Sequence, residues 1–383
     1  MAGLAAAALL ARDGHRVTTF ERFEAARAVG SGLMLQPTGM AVLGALGVAG
    51  EALASGARIA RLHGIAAGRA VLNVRYSALR RDDGFGLGIH RAALFDILHR
   101  AAVRSGATIV NGRSVAALTP GPDKPSLTFR EGRSEGPFDL VIDAAGARSP
   151  LASGGIHPLN YGALWTSVEW RGGAVDADTL SQRYRQASRM AGLLPIGRGP
   201  HDRVDMAALF WSIRGDRLDQ WRADGLDAWK GEWRALWPGT DVFLDQIDSA
   251  DQMTFASYTH RTLPRPVSGR LIHLGDSWHS TSPQLGQGAN MALLDACALA
   301  VALREVDEVP AALDRAAAMR SRHVRLYQAM SLALTPLYQS DSRVLPWFRD
   351  RLVGPLSTLP PVERLQAAMV AGLIGWPLRS LGL

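Results

Sequence analysis

A carboxylate and a glycine-rich turn stand close together between residues 270 and 296, which read RLIHLGDSWHSTSPQLGQGANMALLDA. The apolar run that ends at Gly275 predicts a buried strand, and Asp276 follows it, where a carboxylate can bind the hydroxyl groups of a polyol. Pro283 and the run Gly286 to Asn290 then lead into an apolar helix, whose first N–H groups favour a polar or anionic ligand. A lone glycine pair would favour a simple connecting loop, but the joint pattern is far more specific.

The first 22 residues, MAGLAAAALLARDGHRVTTFER, predict a helix, a short strand and then an acidic residue. Glu21 follows the strand and lies 18 residues after Gly3. A dinucleotide-binding fold has the order strand, G-x-G-x-x-G, helix, strand and acid, with about 20 residues between the glycines and the acid. Two interpretations remain open: the later part of such a motif, with Gly3 as its third glycine, or an ordinary helix–strand pair. A signal peptide is not predicted, because no basic segment precedes the apolar run.

The composition indicates a large globular chain and excludes several classes of protein. The 383 residues suffice for one large or two fused domains, and a hydrophobic content of 47% supports a sizeable core. The sequence has no run of about 18 uncharged apolar residues, so a membrane span is not predicted. The net charge of +7 comes from scattered arginines, since only Lys124 and Lys230 are lysine, and nucleic-acid binding is not predicted. The single cysteine, Cys297, excludes an internal disulfide and favours a cytoplasmic protein.

The predicted elements alternate in the manner of an α/β fold. Helical patterns occur at 38–46, 91–104 and 286–303, and short apolar strands at 107–110, 113–118, 125–129 and 138–142. Between about 155 and 260 tryptophans gather around strand-like runs such as ALWTSVEW, which predicts a mostly antiparallel sheet. After residue 305 the pattern is helical to the end.

The pattern GD, then P, then GQGAN at 275–290 resembles the FAD-binding motif of class A flavoprotein monooxygenases, the para-hydroxybenzoate hydroxylase-like enzymes. The resemblance covers most of the chain. It implies that Asp276 holds the ribityl chain of FAD, that Pro283 and Gly286 to Asn290 line the isoalloxazine ring, and that Arg91, in GIHRAALFDIL, contacts FAD. Gly30 to Leu33, in VGSGLMLQP, resembles the segment that passes near the flavin.

The cofactor-binding residues predicted in this way are Gly3, Glu21, Arg22, Gly32, Leu33, Arg91, Gly146, Gly275, Asp276, Pro283, Gly286, Gln287, Gly288, Ala289 and Asn290. Glu21 is expected to bind the adenosine ribose. No catalytic residue and no metal ligand is assigned. His279 is interpreted as a structural residue of the flavin loop rather than a proton relay, and Arg183, Tyr184 and His201 are residues that could face a substrate.

The resemblance also implies a domain plan. It assigns 1–155 and 256–310 to a discontinuous, Rossmann-like FAD-binding domain, with a short covering β segment near 57–80. An inserted, mostly antiparallel sheet domain that covers the substrate is expected at 156–255, and a helical region at 311–383.

Two departures from the family pattern lead to further expectations. The first strand and the first two glycines are expected to lie before Met1, encoded by the upstream reading frame, and the 383-residue chain is expected to bind FAD weakly without them. The second departure lies in DLVIDAAGARS, residues 139–149, where Ala145 replaces the acid of a D-G motif that helps to bind FAD and NAD(P)H. Gly146 and Ser149 remain, and Asp143 cannot simply be assumed to take over. Handling of the pyridine nucleotide is thereby in question more than the fold.

The activity implied by the resemblance is transfer of one oxygen atom from O₂ to an electron-rich small molecule, usually a phenol, with FAD as cofactor and NAD(P)H as transient electron donor. Two alternatives stay open. One is a non-catalytic remnant that keeps the fold but not tight FAD binding. The other is a different flavin chemistry, such as epoxidation, halogenation or hydroxylation in a quinone pathway. A homodimer is also left open.

The tail, residues 360–383, predicts a helix with an apolar face made by Leu365, Met369, Leu373 and Trp376. Such a face can lie on a membrane surface or pack on the protein or a second subunit. Interfacial helices are usually rich in basic residues, whereas this segment has two arginines and is interrupted by Pro377. Packing is therefore the favoured interpretation.

Overall fold

The computed structural model describes residues 1–25, 30–82, 84–121, 123–173, 175–357 and 359–383. The helices are α1 (Ala2–Arg12), α2 (Pro37–Ala45), α3 (Ala49–Ser55), α4 (Arg91–Arg104), α5 (Leu218–Asp224), α6 (Leu226–Leu236), α7 (Asp241–Leu244), α8 (Asp276–His279), α9 (Gly288–Glu305), α10 (Val309–Tyr338), α11 (Val344–Phe348), α12 (Gly354–Leu356) and α13 (Pro360–Val370). The strands are β1 (Thr18–Phe20), β2 (Gly32–Leu35), β3 (Ala57–Ile59), β4 (Arg61–Ala66), β5 (Arg69–Arg75), β6 (Gly86–His90), β7 (Thr108–Val110), β8 (Val115–Thr119), β9 (Ser126–Phe129), β10 (Ser134–Glu135), β11 (Val141–Asp143), β12 (His157–Glu169), β13 (Thr179–Arg185), β14 (Arg189–Gly197), β15 (Met206–Arg214), β16 (Thr254–His260), β17 (Val267–Ser268) and β18 (Leu271–His273).

Parallel strand pairs and buried helices form the first part of the fold. Strand β1 pairs with β7, and β11 pairs with β18, both in parallel. Among the described residues these two pairs belong to separate sheets. Helix α1 packs against α4 and α9, and its alanines, Ala5 to Ala8, are almost completely buried. Because alanine has a small side chain and the highest helix propensity, this sequence forms a helix that its neighbours can approach closely. The predicted order of helix, strand and acid at 1–21 is therefore present.

A seven-stranded sheet forms the second part, in the order β16-β12-β15-β14-β13-β4-β5. Its neighbouring strands run antiparallel except β13 and β4, which run parallel. The predicted antiparallel sheet is present, and β4 and β5, from the predicted covering segment near 57–80, extend its edge. Helices α5 to α7 were not predicted, because the expectation for 155–260 rested on its strand-like runs. The mixed α/β class is confirmed, whereas the predicted domain boundaries stay predictions.

The two faces of this sheet pack against different partners, because strand side chains alternate with a period of two. One face carries Trp211 and packs on Trp229 and Trp233 of α6. The other face carries Phe210 and packs toward Met34 of β2 and Val370 of α13. This second face is therefore the one turned toward the loops that carry the predicted cofactor residues.

The tail packs on the protein through part of the predicted apolar face, because Met369 and Leu373 are partly buried against the core. The Gln287 side-chain amide donates to the Val370 carbonyl at 2.5 Å, and the Tyr327 hydroxyl donates to the Met369 carbonyl at 2.9 Å. In contrast, Leu365 is 59% exposed and Trp376 is 79% exposed. The predicted face is thus wrong at Leu365, which lies on the exposed side of α13, and at Trp376, because the helix has already ended at Val370. In the described part of the chain, no helix is both long and apolar enough to span a membrane.

Candidate functional site

The predicted glycines of the N-terminal segment and the 275–276 loop lie side by side. A Cβ atom at Gly3 would lie 3.2 Å from the Ala144 Cβ, after β11, and one at Gly275 would lie 3.4 Å from the Ala2 Cβ. Gly275 has a φ of +61° and would also bring its Cβ within 3.2 Å of Ala292. These close approaches require small residues, and they bring the start of α1 to the carboxyl ends of β11 and β18.

Three of the predicted charged residues converge on this point. Burial lowers the pKa of the Met1 amino group, and Arg91 lowers it further, whereas Asp276 and Glu21 oppose the shift. Desolvation also lowers the pKa of the Arg91 guanidinium, against the effects of Asp276 and Tyr258. Because charges act on one another mainly over short distances, Glu21, Arg91 and Asp276 all lie near the Met1 amino group.

Local structure explains how Arg91 and Glu21 are held. Arg91 begins α4, and its backbone N–H donates to the Ser31 carbonyl at 2.8 Å. Gly30 has a φ of +104°, and a Cβ there would lie 3.2 Å from the Arg91 Nε. Glu21 directly follows β1, and its Oε1 accepts from the Phe23 N–H at 3.1 Å. Arg22 does not join the cluster through any described contact, because its guanidinium lies over the Phe23 ring.

The predicted flavin-lining run forms the start of helix α9. Gly286 has a φ of +61°, and the helix begins at Gly288, after the turn Pro283–Leu285. Among the described residues, the first turn of α9 has neither a side-chain cap nor an acidic residue. Its N–H groups are therefore available to an electron-rich ligand, as the first N–H groups of a helix have no intrahelical acceptor.

The side chains of Gln287 and Asn290 face the protein. The Asn290 Oδ1 accepts from the Gln36 N–H at 2.8 Å, and its amide donates to the Gly286 carbonyl at 3.0 Å. Gln287 binds the Val370 carbonyl, so both side chains position the loop while its backbone stays open. Two buried atoms beside this loop, the Gln36 Nε2 and the Gln287 Oε1, lack a hydrogen-bond partner among the described residues.

Asp143 is the carboxylate next to the segment in which Ala145 replaces an acid, and contacts within the protein occupy both of its oxygens. Asp143 is buried, and its Oδ1 accepts from the Ala145 N–H at 3.0 Å. Its Oδ2 accepts from the Ser149 hydroxyl at 2.6 Å and lies 2.7 Å from the His273 Nδ1. Asp143 therefore fastens the loop to β18 and does not take the place of the missing acid. Gly146, with a φ of +85°, forms the turn between these contacts.

An aromatic wall, made by Trp165, Phe210 and Tyr258 of the seven-stranded sheet, was not predicted. Trp165 and Phe210 stack with their ring centroids 4.6 Å apart, and the Trp165 Nε1 donates to the Tyr258 hydroxyl at 3.1 Å. Burial raises the pKa of Tyr258 to about 12, despite the opposing effects of Trp165 and Arg91. Gly32 packs on the same sheet, because a Cβ there would clash with the Ile196 side chain. The strand-like runs that contain Trp165 and Phe210 were visible in the sequence, but their common face was not.

The residues proposed from the sequence to face a substrate are placed elsewhere. Tyr184 is buried and donates to the Gln182 side chain at 2.9 Å. The Arg183 guanidinium lies over the Trp237 ring, and His201 is exposed in a turn.

A buried ionic network lies directly beneath the 275–279 loop. The Asp295 Oδ2 accepts from the Gly275 N–H at 3.0 Å and lies 2.6 Å from the His279 Nε2. The Asp295 Oδ1 accepts from the Arg320 Nε at 2.9 Å, and all three side chains are 1% exposed or less. Burial alone would raise the pKa of Asp295, but His279 and Arg320 outweigh it and lower that pKa to about 2. Asp295 therefore holds both ends of α8, which carries Asp276, and His279 has the structural role that the sequence favoured.

A neighbouring histidine makes the stability of this region depend on pH. Burial, followed by the charge of Arg320, lowers the pKa of His323 to about 3, and its Nε2 lies 3.1 Å from the Gly372 carbonyl. In the unfolded chain this histidine is protonated below about pH 6.5, whereas in the folded chain it is protonated only near pH 3. The contribution of His323 to stability is therefore lost as the pH falls from about 6.5 toward 3.

We expect the free energy of unfolding of the native protein to exceed that of His323→Gln at pH 7, and the difference to shrink as the pH falls to 4.5. Urea unfolding at both pH values measures it, with the exposed His201→Gln as control. A difference that stays constant with pH would contradict this assignment.

This fold and site define an α/β dinucleotide-binding protein with an inserted sheet. The sequence profile of the family described as FAD binding domain matches residues 1–330, and the chain belongs to this family. The chain is 29% identical over 381 residues to the aurachin C monooxygenase/isomerase of Stigmatella aurantiaca, covering 93% of this chain and 92% of that protein. It is 29% identical over 359 residues to the 3-amino-4-hydroxybenzoate 2-monooxygenase of Streptomyces cremeus, covering 88% and 82%.

Solved structures show the same fold. The tetrameric form of 2-methyl-3-hydroxypyridine-5-carboxylic acid oxygenase has a TM-score of 0.78 at 20% identity, covering 99% of this chain and 95% of that one. A Klebsiella pneumoniae HpxO variant complexed with FAD has a TM-score of 0.78 at 19% identity, covering 97% of each chain. The family and fold predicted from the sequence are confirmed, whereas the individual site residues stay predictions.

Proposed function

We propose that the protein is an FAD-dependent monooxygenase that hydroxylates an aromatic, phenol-like small molecule with NAD(P)H and O₂. The observation that carries this proposal is the close packing of Gly275, next to Asp276, against the start of α1, with Glu21 and Arg91 near the same helix start. The curated relatives named above are monooxygenases, and one of them carries the name of a hydroxybenzoate as its substrate.

The residues present fit FAD. Asp276 would bind the ribityl hydroxyls, Glu21 the adenosine ribose, and the open N–H groups at the start of α9 the polar edge of the flavin ring. Arg91 would contact the cofactor from the start of α4. When bound, FAD supplies the redox chemistry with oxygen, and the protein supplies position and a dry pocket.

The aromatic wall suits a flat, electron-rich substrate. Trp165 is partly exposed and can offer ring surface to an aromatic substrate, while the buried Phe210 stacks on Trp165 and supports it. Tyr258 keeps its proton at neutral pH because its pKa is about 12. Its hydroxyl accepts from Trp165 and can donate its own proton to an oxygen of the substrate. Tyr258 is thus the residue that we propose to orient a phenolic oxygen.

Other assignments remain proposals. NAD(P)H as electron donor, a homodimer and a cytoplasmic location are kept as predictions.

We expect the FAD-loaded protein to oxidise NAD(P)H several-fold faster when a suitable phenol or aminophenol is present, with consumption of O₂ in step. Absorbance of NAD(P)H and an oxygen electrode measure the two rates, and chromatography identifies a product heavier by one oxygen atom. Free FAD at the same concentration is the control. If no compound in a broad panel of aromatic molecules changes either rate, the hydroxylase proposal is contradicted. A non-catalytic remnant of the fold or a different flavin chemistry would then be favoured.

A further inference from the structure

Large apolar side chains point to solvent at helical spacing along α11, α12 and the π-helical turn Arg349–Val353 between them. Their exposed fractions are 73% for Val344, 53% for Trp347, 45% for Phe348, 45% for Leu352 and 51% for Leu356. We name these five residues the apolar stripe. Four of them follow one another at intervals of four residues, and Trp347 lies next to Phe348, which places the stripe on one side of the helical segment.

The opposite side of the same helical segment buries a charge instead. Arg349 is fully buried, its Nη1 donates to the Leu337 carbonyl at 3.0 Å, and its Nη2 donates to the Gln186 carbonyl at 3.2 Å. Its guanidinium also lies 5.0 Å from the Tyr184 ring centroid and 5.2 Å from that of Tyr338. These contacts fix the rotation of the segment about its axis. Turning the apolar stripe inward would remove the partners of Arg349, so the stripe stays outside.

The charge around the stripe identifies what covers it. Arg343, Arg351 and Arg364 are exposed, and the Arg351 guanidinium lies 5.2 Å from the Trp347 ring centroid. The acid within the segment, Asp350, is bound to Arg349 at 2.7 Å. A surface of tryptophan, phenylalanine and leucine bordered by arginine suits the boundary between acyl chains and anionic headgroups.

We propose that the apolar stripe binds the surface of an anionic lipid bilayer. A second copy of the chain fits less well, because a two-fold interface through this face would bring two sets of the same arginines into one interface and so add like charge. The described segment does not span a membrane, so it binds in the plane of the interface. This inference does not depend on the proposed function.

Vesicle flotation of the intact protein tests the proposal. We expect the protein to float with vesicles of phosphatidylcholine and phosphatidylglycerol, and much less with phosphatidylcholine alone or at high salt. The double variant Val344→Ser/Trp347→Ser and the single variant Arg351→Glu should each reduce the floated fraction by about 5-fold or more. Val103→Ser is the matched control, because Val103 is 51% exposed on α4, outside the stripe.

Folding and oligomeric state are measured beside flotation. Since the changed side chains are exposed, circular dichroism and melting temperature should stay as in the native protein. Absence of flotation of the native protein, or equal flotation of the native and double-variant proteins, would overturn the proposal. So would light scattering that shows a dimer dissociated by Val344→Ser/Trp347→Ser in the absence of lipid, since a second copy would then cover the stripe.

Discussion

Either single change, Asp295→Leu or Arg320→Met, is expected to lower the free energy of unfolding by roughly 3–5 kcal/mol, because each leaves the other charge buried without its partner. The double variant should be more stable than either single one, since two apolar side chains need no hydrogen bonds. The free energy of unfolding of the double variant should still lie below that of the native protein. The reason is that the Gly275 N–H and His279 lose their acceptor in both Asp295→Leu and the double variant. Chemical denaturation measures all four proteins.

An exposed ion pair provides the matched control for this prediction. Arg100 binds Glu51 at 2.8 Å with its side chain 49% exposed. Arg100→Met should therefore cost about 1 kcal/mol or less. If Arg320→Met costs no more than Arg100→Met, the buried network does not support the 275–279 loop energetically.

The buried network of Asp295, His279 and Arg320 also determines a pH range over which the protein loses stability in acid. The pKa of Asp295 is depressed to about 2 in the folded protein and is about 3.9 in an unfolded chain, so its contribution to stability is complete above about pH 4 and is lost as the pH falls through 2. The acid-induced loss of stability between pH 4 and 2 should thus be smaller in the double variant than in the native protein.

Asp276→Ala is expected to weaken FAD binding on the order of 10- to 100-fold, since hydrogen bonds from ligand hydroxyls to a carboxylate contribute more than neutral ones. Asp276 is exposed in the site and holds no described structural contact, so the fold should be unaffected. Asp276→Asn should lose less affinity than Asp276→Ala, because its amide oxygen still accepts hydrogen bonds. Quenching of flavin fluorescence during titration of the protein measures the dissociation constant.

The exposed Asp307 supplies the control for this experiment, as Asp307→Ala removes the same charge at a distance from the loop in sequence. An unchanged dissociation constant for Asp276→Ala would show that the carboxylate does not hold the cofactor. Weakening by Asp307→Ala to the same extent would show a general effect of charge.

Much of the cofactor side of this protein could be predicted from the sequence alone. The strand ending at Asp276, the glycine-rich start of α9 and the acid after β1 are local patterns, and local backbone preferences decide strands, turns and helix starts. The spacing from Gly3 to Glu21 is likewise a property of one helix and one strand. The family followed from these patterns, because together they are rarely found by chance.

Tertiary structure decided what depends on contacts between distant segments. Asp143 lies near the missing acid in sequence, but packing against Ser149 and His273 occupies it. Trp165, Phe210 and Tyr258 come from three different strands, so only the register of the sheet joins them into one wall. Burial of Arg349 fixes which face of its helical segment meets solvent, whereas hydrophobic spacing alone favours the opposite orientation. Periodicity identifies an apolar face, but only the folded chain determines what that face contacts.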